Sequence, residues 1–171
     1  MFSWRWGNKI LFLTILIFCL IPGHGVIAQT LRGTFVDWSV FTIKQADKTI
    51  CYIAALPLKR DGTYNKRGDP YFLVTDVGND IEEISVSGGY YFKKNSEVEL
   101  SFGLKKFGIF TYDNLAWANN KSDDIDIVKE MRNSEDVIVT GIARDNSYSV
   151  DTYSLVGFVE AYNKMKELCN N

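Results

Sequence analysis

With 171 residues, 46% of them apolar and 14% aromatic, the chain has material for one domain with a substantial core. Its formal net charge of −2 gives no basic surface, which argues against nucleic acid and anionic membranes as general partners.

The chain opens with Arg5 and Lys9, continues through an apolar run from Ile10 to Ile21, and then reads Pro22-Gly23 and Val26-Ile27-Ala28. This is the pattern of a secretory signal peptide cut after Ala28. The run is about a dozen residues, short of the ~20 that span a bilayer, and small residues close it. Cys19 follows Phe18 inside the run, which argues against a lipoprotein leader. An uncleaved anchor, with Trp4 and Trp6 at the membrane interface, is the alternative. The expected organisation is a signal peptide over 1–28 and a single β-rich domain over 29–171. That domain is exported to the periplasm or outer membrane of a Gram-negative bacterium, with no membrane span left after cleavage. Removing Arg5 and Lys9 moves the net charge from −2 to −4.

Cys19 and His24 leave with the leader, so the mature chain keeps Cys51 and Cys169 and no histidine. Two cysteines in an oxidising compartment pair by default, which predicts a Cys51–Cys169 disulfide. The absence of histidine removes Ser-His-Asp and Cys-His catalysis and imidazole zinc sites together. No cofactor and no metal is expected.

In chain order, Thr34 to Ile43 alternates with Val36, Trp38 and Val40 on one face, the period of a half-buried strand. Thr49 to Leu56 is a second β-rich run. Pro57 to Pro70 is a polar connection, long enough to be suspected of function. Tyr71 to Val77 and Ile84 to Ser87 read as strands, and Gly88-Gly89 before Tyr90-Tyr91-Phe92 reads as a hairpin. Glu97 to Phe102 alternates cleanly, and Lys106 to Tyr112 should pair with it. Asp123-Asp124 precede a helical spacing near 124–132, where acids complement the dipole. Asp136 to Arg144 returns to strand, its run Val137-Ile138-Val139 suiting a core on both faces. Asp145-Asn146-Ser147 is a turn. Asp151 is read as the N-cap of a C-terminal helix near 152–169, with Leu155, Phe158, Val159, Tyr162 and Met165 as its stripe. The fold class is mainly β (α+β): an antiparallel sandwich or barrel of about eight strands with two helices.

Glu97 and Glu99 share a strand face at about 7 Å, a spacing within the glycosidase range, but alternating glutamates are the ordinary solvated face of a strand. Asp123, Asp124 and Asp126 lack the glycine and terminal glutamate of a calcium loop, and helix capping explains them. Arg67-Gly68-Asp69 spells the integrin tripeptide within the long polar connection. A given tripeptide arises readily by chance, and Pro70 fits a simpler role in steering the chain into the strand at Tyr71. Trp117, within Leu115-Ala116-Trp117-Ala118, is either a ligand platform or, more ordinarily, core. Tyr90, Tyr91 and Tyr112 are candidates for a binding face.

Taken together, Asp37-Trp38-Ser39-Val40, Ile50-Cys51-Tyr52, Arg67-Gly68-Asp69-Pro70-Tyr71, the turn from Val86 to Phe92, Leu115-Ala116-Trp117-Ala118, and above all Asp151-Thr152-Tyr153-Ser154-Leu155-x-Gly157-Phe158 running to Cys169 resemble the invasion-associated locus B family of exported alphaproteobacterial proteins. The chain lacks the cysteine that some members carry soon after the Asp-Trp. Glu at the position of Asp69 in relatives would make the integrin-like triplet incidental. The resemblance implies an association with entry into host cells and carries over no catalytic residue. The resulting expectation is a non-enzymatic envelope protein that binds a protein or envelope component through a sheet face or the long loop. A small-ligand carrier with an apolar barrel interior is the second reading.

Overall fold

The computed structural model describes residues 29–45, 48–78 and 81–169. The expected leader over 1–28, with Cys19 and His24, lies outside the described residues. Eleven strands and two helices follow in chain order: β1 Gln29–Phe35, β2 Trp38–Gln45, β3 Lys48–Ala55, β4 Lys59–Gly62, β5 Tyr71–Gly78, β6 Ile81–Ser87, β7 Glu97–Phe102, β8 Lys105–Tyr112, β9 Leu115–Trp117, α1 Lys121–Met131, β10 Asp136–Ile142, β11 Tyr148–Ser154 and α2 Phe158–Cys169. All strands join one antiparallel sheet in the order β1-β2-β3-β5-β6-β9-β8-β7-β10-β11-β4. The sheet is open, with β1 and β4 at its edges, so the fold is mainly β but not a closed barrel.

The sheet bends back on itself because large apolar side chains on one face must be covered. Phe72 on β5 meets Tyr153 on β11 edge to face at 5.7 Å, Trp38 on β2 meets Phe158 on α2 at 5.1 Å, and the Trp38 indole N–H donates to the Ser154 carbonyl at 2.9 Å. All four rings are fully buried. Helix α2 lies against β2, β3 and β5 on this inner face, with Ala161 and Met165 buried, and Cys51 on β3 is joined to Cys169 at its end. Helix α1 covers β6 and is capped by Asn120, whose side-chain oxygen accepts from the backbone N–H groups of Ser122 and Asp123.

Several sequence expectations are corrected. The run from Thr34 to Ile43 is a hairpin rather than one strand. It reverses at Val36-Asp37, where Val36 sits at φ 52° and is exposed rather than facing the core with Trp38 and Val40. A β-branched residue at positive φ is no turn signal, so the reversal was illegible. The polar connection contains the edge strand β4, and Leu115–Trp117 is a strand between β6 and β8. Tyr90 to Phe92 forms no hairpin with β6; its one ladder contact is Phe92 with Ala143. Ile138 is exposed while Val137 and Val139 are buried, so β10 has one core face.

The largest difference is at Asp151, which lies within β11 and caps nothing. Residues 148–154 pair with β10 and β4, and the helix starts only at Phe158, after Gly157 at φ 86°. A Cβ on Gly157 would stand 2.0 Å from the Phe35 carbonyl oxygen, so a side chain here would break the contact with the first hairpin.

The end of α2 is also held by charge. The Lys166 ammonium is 3.0 Å from Asp76 and 3.0 Å from Glu82, and the Tyr162 hydroxyl donates to Glu82 at 2.7 Å. Burial, the hydrogen bond to Glu82 and the charge of Glu82 push the Tyr162 hydroxyl from 10.0 up to about 12. A group raised in the folded state stabilises below its unfolded pKa and loses that contribution as pH climbs to its folded pKa. Urea-unfolding free energies should therefore fall between pH 10 and about 12, and Tyr162→Phe should flatten that part of the profile relative to the unmodified chain.

Candidate functional site

Part of the outward side of the sheet, across β2, β3, β5, β6, β9 and β8, carries more apolar residues than a solvated face. Cross-strand registry places Phe41, Tyr52, Thr75 and Glu83 in one row, and Ala54, Leu73, Ser85, Trp117 and Phe110 in the next. An antiparallel sheet that faces water normally alternates apolar-in with polar-out, and Phe41, Tyr52, Leu73, Trp117 and Phe110 depart from that pattern here. They culminate in an open groove of about 540 Å³ floored by Phe110 and Trp117 and flanked by Val77, Ile81 and Tyr112. Phe110 and Trp117 stack across the β8–β9 ladder at 5.7 Å with their planes 27° apart. Phe110 is 44% and Tyr112 68% exposed.

The rim is set by the start of α1 and the start of β6. Ladder pairing between β6 and β9 covers Ser85 and Val86 only, so the amide of Ile84 is left to a side chain: it donates to Asp124 at 2.8 Å. Asp124 is thus held at the groove wall with the rest of its residue nearly buried. Burial pushes its carboxyl above the usual carboxylate range; the Ile84 N–H partly offsets this, and the charges of Glu83, Asp123 and Glu82 add to the rise. Glu83 is exposed beside it, and Lys121 is the cation of the rim.

The other sequence candidates are dispersed. The Arg67 guanidinium is turned inward, 3% exposed, against an Asp151 carboxylate that is 2% exposed. It donates to both Asp151 oxygens, to the Gly88 carbonyl at 3.0 Å and to the Tyr64 hydroxyl at 3.1 Å. Burial lowers its pKa, but the hydrogen bonds and charge of Asp151 outweigh that and hold it above the ordinary value. The loop behind it is closed by the Gly68 N–H donating to Gly89 at 2.8 Å, and a Cβ on Gly89 would meet the Gly68 oxygen at 2.4 Å. Arg67-Gly68-Asp69 is therefore a folded tether in which the Arg67 side chain is buried and that of Asp69 is exposed, 85% accessible and 3.4 Å from Arg60.

Tyr90 points inward to Ser149, at 2.7 Å between the hydroxyls, whereas Tyr91 is exposed with the Arg144 guanidinium 4.8 Å over its ring. Of the three tyrosines, Tyr112 alone joins Trp117 in the groove. Trp117 is half-buried rather than core. From the sequence, Asp124 is given to helix capping and Phe110, Ile81 and Glu83 are not singled out, although Lys105–Tyr112 shows the cue: Ile109 faces inward, and Phe110 and Tyr112 on the other parity are aromatic. Glu97 is exposed and Glu99 pairs with Lys106 at 2.9 Å, the solvated strand face that alternation implied. Among the described residues there is no histidine, no group of three His, Cys, Asp or Glu able to hold a metal ion, and no helix long and apolar enough to cross a membrane.

A family model described as "Invasion associated locus B (IalB) protein" matches residues 38–166. No curated protein matches the chain. Among solved structures, the crystal structure of invasion associated protein b from Bartonella henselae is similar with a TM-score of 0.57 and 14% identity, over 83% of this chain and 99% of that one, a likeness of fold. The family match runs from Trp38 at the start of β2 to Lys166 in α2, spanning the folded core and the Trp117 groove, so the chain belongs to the invasion associated locus B family.

Proposed function

We propose that this is a non-enzymatic exported envelope protein that binds a partner protein through the outer face of its sheet, centred on Trp117. The observation that carries this reading is the row of exposed and half-exposed aromatics where a solvated sheet would be polar. Tyr, Trp and Phe with few charges are the composition of interface centres. The Cys51–Cys169 disulfide supports export to an oxidising compartment, and the names of the family and of the Bartonella protein support a role associated with invasion. Carriage of an apolar ligand inside the sheet is disfavoured, because Trp38, Phe72, Tyr153 and Phe158 occupy the space between its two halves.

The test is site-specific photo-crosslinking in the native host, with benzoylphenylalanine at Tyr112 on the groove or at Tyr148 on β11. A discrete adduct is expected at Tyr112 and not at Tyr148, and Trp117→Ala should abolish it. Equal adducts at both positions, or an adduct indifferent to Trp117, would defeat the reading.

A further inference from the structure

The groove is not neutral. One oxygen of Asp124 is committed to the Ile84 amide, and the residue is only 9% exposed. Its second oxygen has no hydrogen-bond or ion-pair partner among the described residues, although the side chain lines the groove. That oxygen is open to the groove from an otherwise buried residue, and the natural complement of a carboxylate oxygen at an apolar wall is a cationic donor. The adjoining Glu83 adds a second acceptor; Glu82, the third acid of the lining, is held by Lys166 and Tyr162, and Lys121 is the one cation of the lining among the described residues. The N-terminal amides of α1 do not supply the missing donor, since those of Ser122 and Asp123 are satisfied by Asn120. Beside it are the stacked rings of Phe110 and Trp117, their planes 27° apart.

We infer that the groove is an arginine-anchoring site, in which a guanidinium from a partner polypeptide lies on the Phe110–Trp117 floor and donates to Asp124 and Glu83. This rests on the partner-binding reading above and names the chemistry of the partner. Charge complementarity selects a cation over a phosphate or carboxylate ligand. Flatness selects arginine among cations: a guanidinium stacks on aromatic faces while its edge donates to carboxylates, whereas a lysine ammonium is compact and more strongly hydrated. The same pairing recurs inside this molecule, where Arg67 lies 4.1 Å over the Tyr64 ring while donating to Asp151. Glycine residues and backbone strain play no part in it; the site is built by side chains from β6, β8, β9 and α1.

The experiment is a two-dimensional NMR titration of the oxidised mature protein, read at the Trp117 indole N–H. The other tryptophan of the described residues, Trp38, is fully buried and serves as the internal control. The probes are N-acetylarginine amide, the neutral isostere N-acetylcitrulline amide, and N-acetyllysine amide. Arginine should shift Trp117 and leave Trp38 unmoved, with citrulline and lysine each roughly tenfold weaker, the scale of a desolvated cation–π contact with its carboxylate partners. Glu83→Gln, a substitution at an exposed position, should weaken arginine severalfold and leave citrulline unchanged.

Equal binding of arginine and citrulline would replace the proposal with an apolar site. Binding of lysine as strong as arginine would reduce it to simple charge attraction, and the absence of any shift would end it. A Trp117-dependent crosslink at Tyr112 combined with silent arginine would retain the partner surface and reject this anchor; binding of arginine without a crosslink would do the reverse.

Discussion

Replacing Arg67 by methionine should destabilise the fold by about 3–5 kcal/mol, because Asp151 is then left as a buried charge without a partner. The two side chains are 3% and 2% exposed, and the guanidinium also supplies donors to Gly88 and Tyr64. Breaking the pair is costly, whereas replacing both members need not be. Arg67→Met with Asp151→Leu should recover a large part of the loss, since well-filled apolar pairs often match a buried ion pair. Asp69→Ala, in the same tripeptide, should cost no more than about 0.5 kcal/mol, because its carboxylate is exposed and its contact with Arg60 is long. Urea unfolding of the three variants against the unmodified protein measures the series. A loss below about 1 kcal/mol for Arg67→Met would mean that Asp151 is rescued by water or a rearranged loop.

Replacing Cys51 and Cys169 together by alanine should lower stability by about 4–5 kcal/mol in the chain-entropy account, because the bond closes a loop with a sequence separation of 118. For a domain of this size that corresponds to a fall in Tm of roughly 10–20 °C. Unfolding should remain cooperative, since α2 keeps Phe158, Ala161 and Met165 in the core and Lys166 between Asp76 and Glu82. Calorimetry of the oxidised protein against the double alanine variant gives the difference. A change of only a few degrees would show that packing and the ion cluster, rather than the covalent link, hold the helix.

The two largest effects differ in how they could be foreseen. Of the three cysteines, Cys51 and Cys169 are the two outside the expected leader, so that expectation leaves one pairing, and the structure has it. Arg67 and Asp151 are 84 residues apart, and each had a plausible local reading: a presented loop tip and a helix N-cap. Both readings fail because β11 is bound by long-range ladders to β10 and β4, and the loop carrying Arg67 folds down over the inner face of that strand. An aspartate before an apolar stripe looks the same to a local rule whether its backbone is capping a helix or crossing a sheet.

The groove divides in the same way. Trp117 and Tyr112 were singled out as candidate binding residues, and the parity of Lys105–Tyr112 already put aromatics on both faces of one strand. The acceptors could not be found from sequence. Asp124 sits in the first turn of α1, where acidic residues complement the dipole anyway, and its other task appears only when the short β9 leaves the Ile84 amide without a ladder partner.

The sequence by itself determined what local period and composition can encode: a mainly β fold, the β7–β8 pairing, two helices and the disulfide. It also carried the motifs by which the chain resembles its family. Only the tertiary structure decided the strand order, the bend that brings Phe72 to Tyr153, the burial of Arg67 and the convergence of β6, β8, β9 and α1 on one groove. Those features depend on pairings between distant segments, whose energies come from surfaces and partners that no window along the chain contains.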